Sequence, residues 1–210
     1  MVLKSVVWTG CLLPVACLVY WYWTDDLTAN PIDFITDTLG DWALRLLLAS
    51  LALTPLRIVT AMAWQMTLRR LLGLFAFFYV ALHFGVWIGL DHFFDWRQMG
   101  ADIAKRPYIT AGVAAFTLLL PLAATSTTGM IKRMGALNWR RLHRLVYVAA
   151  TLAILHYVWL AKKVLLAPWI YAAILALLLA IRGWEATRRY RRRRHATTAV
   201  VRPVSAAPGD

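Results

Sequence analysis

Leu71-Leu-Gly-Leu-Phe-Ala-Phe-Phe-Tyr-Val-Ala-Leu-His83-Phe-Gly-Val-Trp-Ile-Gly-Leu90 is an unbroken apolar run without a single formal charge. At about 1.5 Å per residue, a helix of this length covers the ~30 Å hydrocarbon core of a bilayer. One residue departs from the pattern. His83 places a polar nitrogen base inside hydrocarbon, where it is costly and therefore reads first as functional.

Five more apolar runs accompany this one, so the predicted spans are 5–23, 42–63, 71–90, 108–125, 142–161 and 164–181. The chain is 61% hydrophobic over 210 residues, with positive mean hydropathy, which excludes an ordinary soluble domain. No strand-like alternation occurs, so the fold class is an all-α integral membrane protein, a six-transmembrane-helix bundle. Pro14, Pro55 and Pro121 fall inside spans, which a membrane bundle tolerates because neighbouring helices satisfy the freed carbonyls. The first run leads into Tyr20, Trp21, Tyr22 and Trp23 without a small-residue cleavage site, so it is expected to stay as an anchor. Cys11 and Cys17 show no metal or redox spacing and read as small packing residues.

The net charge of +13 does not mark a nucleic-acid binder, because the basic residues lie between and after the apolar runs. They instead set the orientation. The first connection carries Asp25, Asp26, Asp33, Asp37 and Asp41 and no base before Arg45. Arg57, Arg69 and Arg70 fill the second connection, and Lys132, Arg133, Arg140 and Arg141 the fourth. The tail adds Arg182, Arg188, Arg189 and Arg191 to Arg194. The positive-inside rule then predicts both termini cytoplasmic, against minor opposition from Lys162 and Lys163 in the fifth connection. Residues 1–185 form the expected membrane domain. Residues 186–210 form a basic cytoplasmic tail, with disorder expected from Ala196, suited to anionic lipid or a partner. The tail has no glycine-rich dinucleotide fingerprint, so electrons for any redox chemistry would come from another molecule.

Two further histidines, His143 and His156, share the fifth run. Spans three and five run in the same direction, and helical rise puts His83 roughly 10 Å and His156 roughly 7 Å from their outer ends. Their matching depths suit a b-type haem clamped by two imidazoles in the outer half of the membrane. His143 lies about 20 Å deeper, and its thirteen-residue separation from His156 rotates it about 140° around an ideal helix. Aiming both at one neighbour would require a bulge or local unwinding. His143 could serve a second haem with an unrecognised sixth ligand, or hydrogen-bond a flavin or quinone. Arg69, Arg70, Arg140, Arg141 and Arg144 converge on the inner surface, where guanidinium forks suit haem propionates or a flavin phosphate, and equally suit plain positive-inside anchoring.

Other signals are weaker. Arg45 reads as a packing residue snorkelling from near the outer end of span two. Phe75, Phe77, Phe78, Tyr79 and Phe84 suit packing or a haem sleeve, and Gly73, Gly85 and Gly89 permit close approach. His92 and His195 are expected to be solvated.

The stretches from Arg69 to His83, from Thr125 to Arg133 and from Asn138 through His156 closely resemble the MsrQ (YedZ) family of the ferric reductase-like transmembrane superfamily. The resemblance covers the chain from the first span to the sixth. It implies a haem b membrane subunit in the bacterial inner membrane, passing electrons from the quinone pool, and also from a cytosolic flavin reductase, to a periplasmic molybdopterin methionine sulfoxide reductase. It implies FMN as well, and it carries the haem ligands onto His83, His143 and His156. NADPH oxidases and ferric reductases hold four histidines for two stacked haems, whereas Arg69 or Arg70 stands here in place of the inner one on span three. The number of haems, one or two, is left open. Catalysis of sulfoxide reduction is expected on the partner. The alternatives are a stand-alone ferric or cupric reductase, and a non-redox transporter or scaffold using its histidines as a proton relay.

Overall fold

A computed structural model describes residues 2–61, 64–161 and 166–200 of the chain, with the backbone alone for residues 66, 193 and 195–200. The helices are α1 (Val2–Trp23), α2 (Pro31–Thr60), α3 (Gln65–Val86), α4 (Trp96–Lys105), α5 (Pro107–Ala124), α6 (Thr128–Met134), α7 (Ala136–Leu142), α8 (Leu145–Leu160) and α9 (Leu166–Val200), and α3 runs on into a π-helical turn, Trp87–Asp91. There is no strand among the described residues. Six stretches are long and apolar enough to cross a membrane: Val2–Trp23, Pro31–Thr60, Thr67–Asp91, Pro107–Ala124, Ala136–Leu160 and Leu166–Arg192. The protein is a multi-pass, all-α membrane protein, as its apolar runs imply.

Its helix ends follow local chemistry. Asn30 caps α2, its side chain accepting from the Asp33 amide at 3.4 Å, and Pro31 occupies the first turn, where its missing N–H costs nothing. The second span therefore begins well before the expected Trp42, and Asp33, Asp37 and Asp41 lie on a helix rather than in a connection. Hydropathy stops at those carboxylates; Asp33, in the first turn, is favoured by the positive end of the helix dipole, and Asp41 is paired with Arg45. Ala61 closes α2 in the left-handed region, its amide donating to the Arg57 carbonyl. The fifth span is broken into α7 and α8 at His143 and Arg144. α9 carries the last span straight into the arginine run and on to Val200. Helical propagation from a packed span explains this, since the arginines are good helix formers. The fifth connection with Lys162 and Lys163, the extreme tail 201–210 and the His195 side chain lie outside the described residues.

α2 packs along α3, and α5 packs along α8. Lipid tails are as apolar as leucine, so helices associate here through close fit and internal hydrogen bonds. Ala76, Ala149 and Ala150 are fully buried and let backbones approach, while Leu39, Leu47 and Leu51 of α2 fill the space between them. The buried Tyr79 hydroxyl donates to the Cys11 carbonyl at 2.7 Å and ties α3 to α1, a bond worth about 1 kcal/mol in a membrane. Cys11 is buried and both cysteines are free, consistent with packing roles. Arg45 stands in the middle of α2; it pairs with Asp41 at 2.8 Å, donates to the Tyr171 hydroxyl at 3.0 Å and lies over Trp42. It joins α2 to α9.

Candidate functional site

His83 of α3 and His156 of α8 meet across the bundle, with ring centres 6.2 Å apart and planes crossed at 82°. Their Nδ1 atoms are both engaged. The His83 Nδ1–H donates to the Thr36 carbonyl at 2.9 Å, and the His156 Nδ1–H donates to the Tyr108 carbonyl at 2.7 Å. A carbonyl can only accept, so Nδ1 carries the proton and Nε2 keeps its lone pair for a metal.

The two supporting helices use the same device. A side chain on a helix leans toward the N-terminus and shields the carbonyl one turn back. Gly40 and Gly112 stand one turn after Thr36 and Tyr108, so both carbonyls are uncovered for a second hydrogen bond. A Cβ added at Gly40 would come to 3.2 Å from the His83 ring, and one at Gly112 to 2.9 Å from His156 Nδ1. Each imidazole sits in a socket made by one carbonyl and one missing side chain. Gly73, Gly85 and Gly89 do not contact these rings; Gly73 faces Ser50 instead. The sequence signal was present but unread: a glycine on the neighbouring helix at the depth of each histidine.

Two imidazoles bound to one metal through single nitrogens at ~2 Å would have ring centres about 6.4 Å apart. The 6.2 Å separation and the occupied Nδ1 atoms therefore fit a pair of axial haem ligands. No group of three or more His, Cys, Asp or Glu residues that could hold a metal ion occurs among the described residues, and a haem needs only two axial ligands. Phe77 and Phe84 of α3 stack on Phe116 of α5, the latter with ring centres at 4.4 Å, so aromatic rings join α3 to α5 in the stretch of α3 that carries His83. Phe75 instead packs edge-on against Trp8 of α1.

The other end of the bundle is built differently. His143 sits at the α7–α8 break, where Arg144 and Tyr147 donate to carbonyls three residues back rather than four. These three-residue bonds wind the chain more tightly than an α-helix at the junction and change the angle between His143 and His156 from its ideal-helix value. The His143 ring stacks on Trp139 at 3.9 Å, its Nδ1 meets the Trp139 carbonyl at 3.1 Å, and its Nε2 lies 3.5 Å from Ser126 Oγ. Arg69, Trp139, Arg140, His143, Arg144 and Tyr147 line a cavity of about 220 Å³. Of the five expected arginines, Arg69, Arg140 and Arg144 converge there. Arg70 turns to Thr128 Oγ1 at 3.5 Å, and Arg141 is exposed and does not line the cavity.

Sequence reasoning missed Arg182, which it placed among the tail's anchoring bases. Its guanidinium donates to the Leu51 carbonyl at 2.6 Å and to the Tyr147 hydroxyl, and lies 5.0 Å from the Tyr147 ring centre. Its Nε is buried without a hydrogen-bond partner. The cavity and the guanidinium groups of Arg69, Arg140 and Arg144 suit an anionic group the size of a phosphate or carboxylate; 220 Å³ is below the usual volume of a site enclosing a whole cofactor.

His92 corrects an expectation. It is only 6% exposed rather than solvated, because the third connection folds a π-turn and α4 over it.

The sequence profile of the family "Ferric reductase like transmembrane component" matches residues 39–154, a stretch holding Gly40, His83, Tyr108, Gly112 and His143 and ending just before His156. A protein of Rhodospirillum rubrum is 52% identical over 188 residues, covering 90% of each chain. One of Herminiimonas arsenicoxydans is 50% identical over 188 residues, covering 87% of this chain and 86% of its own. Both carry the name protein-methionine-sulfoxide reductase heme-binding subunit MsrQ. The chain belongs to the MsrQ family of ferric reductase-like membrane proteins. A further MsrQ of Ralstonia nicotianae is 49% identical over 183 residues, covering 86% of this chain and 84% of its own. The family likeness thus extends over both ends of the bundle.

Proposed function

We propose that this chain is the haem b subunit of a methionine sulfoxide reductase system and carries electrons across the bacterial inner membrane to a periplasmic molybdopterin partner. The observation that carries the reading is the His83–His156 pair, two crossed imidazoles whose Nδ1 atoms are already committed to carbonyls. When bound, haem b supplies a one-electron carrier within the low-dielectric bundle. The chain's own residues do the rest. Thr36 and Tyr108 fix the imidazole tautomers, Gly40 and Gly112 admit the rings, and the Phe77–Phe116–Phe84 stack joins α3 to α5.

In this reading both termini and the arginine-rich end face the cytoplasm, and the His83–His156 end faces the periplasm. Arg69, Arg140, Arg144 and His143 take an anionic group at the inner end, a haem propionate or the phosphate of FMN, with Arg182 close behind. The quinone pool or a cytosolic flavin reductase supplies the electrons. The exposed arginines of the tail, Arg188, Arg189, Arg191 and Arg192, rest on anionic lipid. A self-contained metal reductase would need a cluster of free acidic groups at the outer face; Asp95 caps α4, Asp102 pairs with His92 and Arg106, and Asp91 lies 3.3 Å from His92 Nδ1.

The test follows reoxidation of the dithionite-reduced, purified protein. Fast reoxidation by the oxidised periplasmic reductase subunit is expected. The absence of a haem spectrum, or rapid turnover with ferric chelate and none with the partner, would contradict it.

A further inference from the structure

We propose that Asp102, in the connection between α3 and α5, is a positioning residue for His156, acting through Arg106 and Tyr108. The inference rests on the reading of His156 as a haem ligand.

The two ligand-orienting carbonyls differ in how securely the fold holds them. Thr36 lies in the second turn of a long helix whose start is capped. Tyr108 is the second residue of α5, in a first turn that has no side-chain cap, and first turns fray unless something holds them. What holds this one is α4. Asp102 is 15% exposed in its side chain; its Oδ1 pairs with Arg106 Nε at 3.4 Å and its backbone carbonyl accepts the Arg106 amide at 2.9 Å. The Arg106 Nη1 donates to the Tyr108 hydroxyl at 3.2 Å, and the Arg106 carbonyl accepts the amides of Ile109 and Thr110. Tyr108 then presents its carbonyl to His156 Nδ1 at 2.7 Å, with its ring centre 6.1 Å from the imidazole.

The other oxygen of Asp102 lies 3.2 Å from Nε2 of His92, whose ring is tilted at 50° against Trp87 with centres 4.6 Å apart and meets the Trp87 carbonyl through Nδ1 at 3.2 Å. Asp102 is thereby fixed from α3 while it holds α5. The backbone shows that this burial is imposed. Phe93 and Phe94, directly after His92, adopt φ of 46° and 62°, a region bulky side chains avoid, and are left exposed. The chain accepts two strained residues to turn His92 inward and bring α4 back over it.

The hydrogen bond to a ligating imidazole tunes its basicity and hence the metal it binds. Loosening the Tyr108 carbonyl weakens electron donation to the iron and favours reduced haem. The experiment is a potentiometric titration of the haem absorbance in the purified, haem-loaded full chain. Asp102→Ala and Arg106→Gln are expected to retain haem and to shift the reduced-to-oxidised ratio at fixed potential about three- to tenfold toward reduced. Asp102→Asn, which keeps the shape and loses the charge, is expected to shift it the same way by less. Asp95→Ala removes the cap of α4 without touching these groups and is expected to titrate as wild type. A wild-type potential in both Asp102→Ala and Arg106→Gln, or an equal shift in Asp95→Ala, overturns the proposal. If Asp102→Ala fails to assemble, Arg106→Gln, at an exposed position, decides alone. A wild-type protein without a histidine-ligated haem would instead sink the reading of the site.

Discussion

The two ends of the bundle both hold histidine, yet they are built on opposite principles. At one end His83 and His156 face each other, each fixed by a backbone carbonyl and seated against a glycine. At the other end a single imidazole, His143, stacks on Trp139 at a helix break, beside a cavity lined by Arg69, Arg140 and Arg144. Backbone sockets fix direction and suit a metal that demands defined ligand geometry. Guanidinium clusters fix charge and suit an anion. The comparison teaches that an intramembrane histidine is classified by what its second nitrogen and its neighbouring helix provide.

The largest effects should fall on the outer pair. His83→Ala and His156→Ala are each expected to reduce the haem held by this pair at least about tenfold, read as a loss of haem per chain by pyridine haemochrome on purified protein. Gly112→Ala comes next. Its Cβ would meet the His156 ring at 2.9 Å, closer than the 3.2 Å at Gly40, so it should lose more haem and destabilise by about 1–3 kcal/mol, with Gly40→Ala milder in both thermal melts and haem content. Equal tolerance of both alanines would break the socket argument. Arg182→Leu leaves the Leu51 carbonyl and Tyr147 hydroxyl without this donor and should cost about 1–3 kcal/mol in thermal stability while leaving the outer haem spectrum unchanged. The exposed Glu185–Arg189 pair marks the bottom of the scale: Glu185→Gln should change stability by less than about 0.5 kcal/mol.

Much of this was legible from residues alone. Run length and basic bias are local properties, so six helices could be read directly, and helical rise was enough to bring His83 level with His156. The missed features depend on partners far along the chain. Gly40 and Gly112 matter only because a histidine from another helix lies against them, and nothing in their own neighbourhood says so. Arg182 looked like one more tail arginine until α9 placed it beside Tyr147. His92 looked like a loop residue because hydropathy ends at Leu90, while what buries it is the return of the chain through the π-turn and α4. The early start of α2 was hidden by its own carboxylates, which hydropathy counts as loop, although the helix dipole favours Asp33 and Arg45 pairs with Asp41.

Electron paramagnetic resonance of the oxidised protein tests the central claim most directly, because the signal of low-spin ferric haem responds to the angle between its axial imidazoles. With planes crossed at 82°, the account predicts a strongly anisotropic low-spin signal that persists in His143→Ala and disappears in His156→Ala. A signal that survives His156→Ala, or one that vanishes with His143→Ala alone, would contradict it.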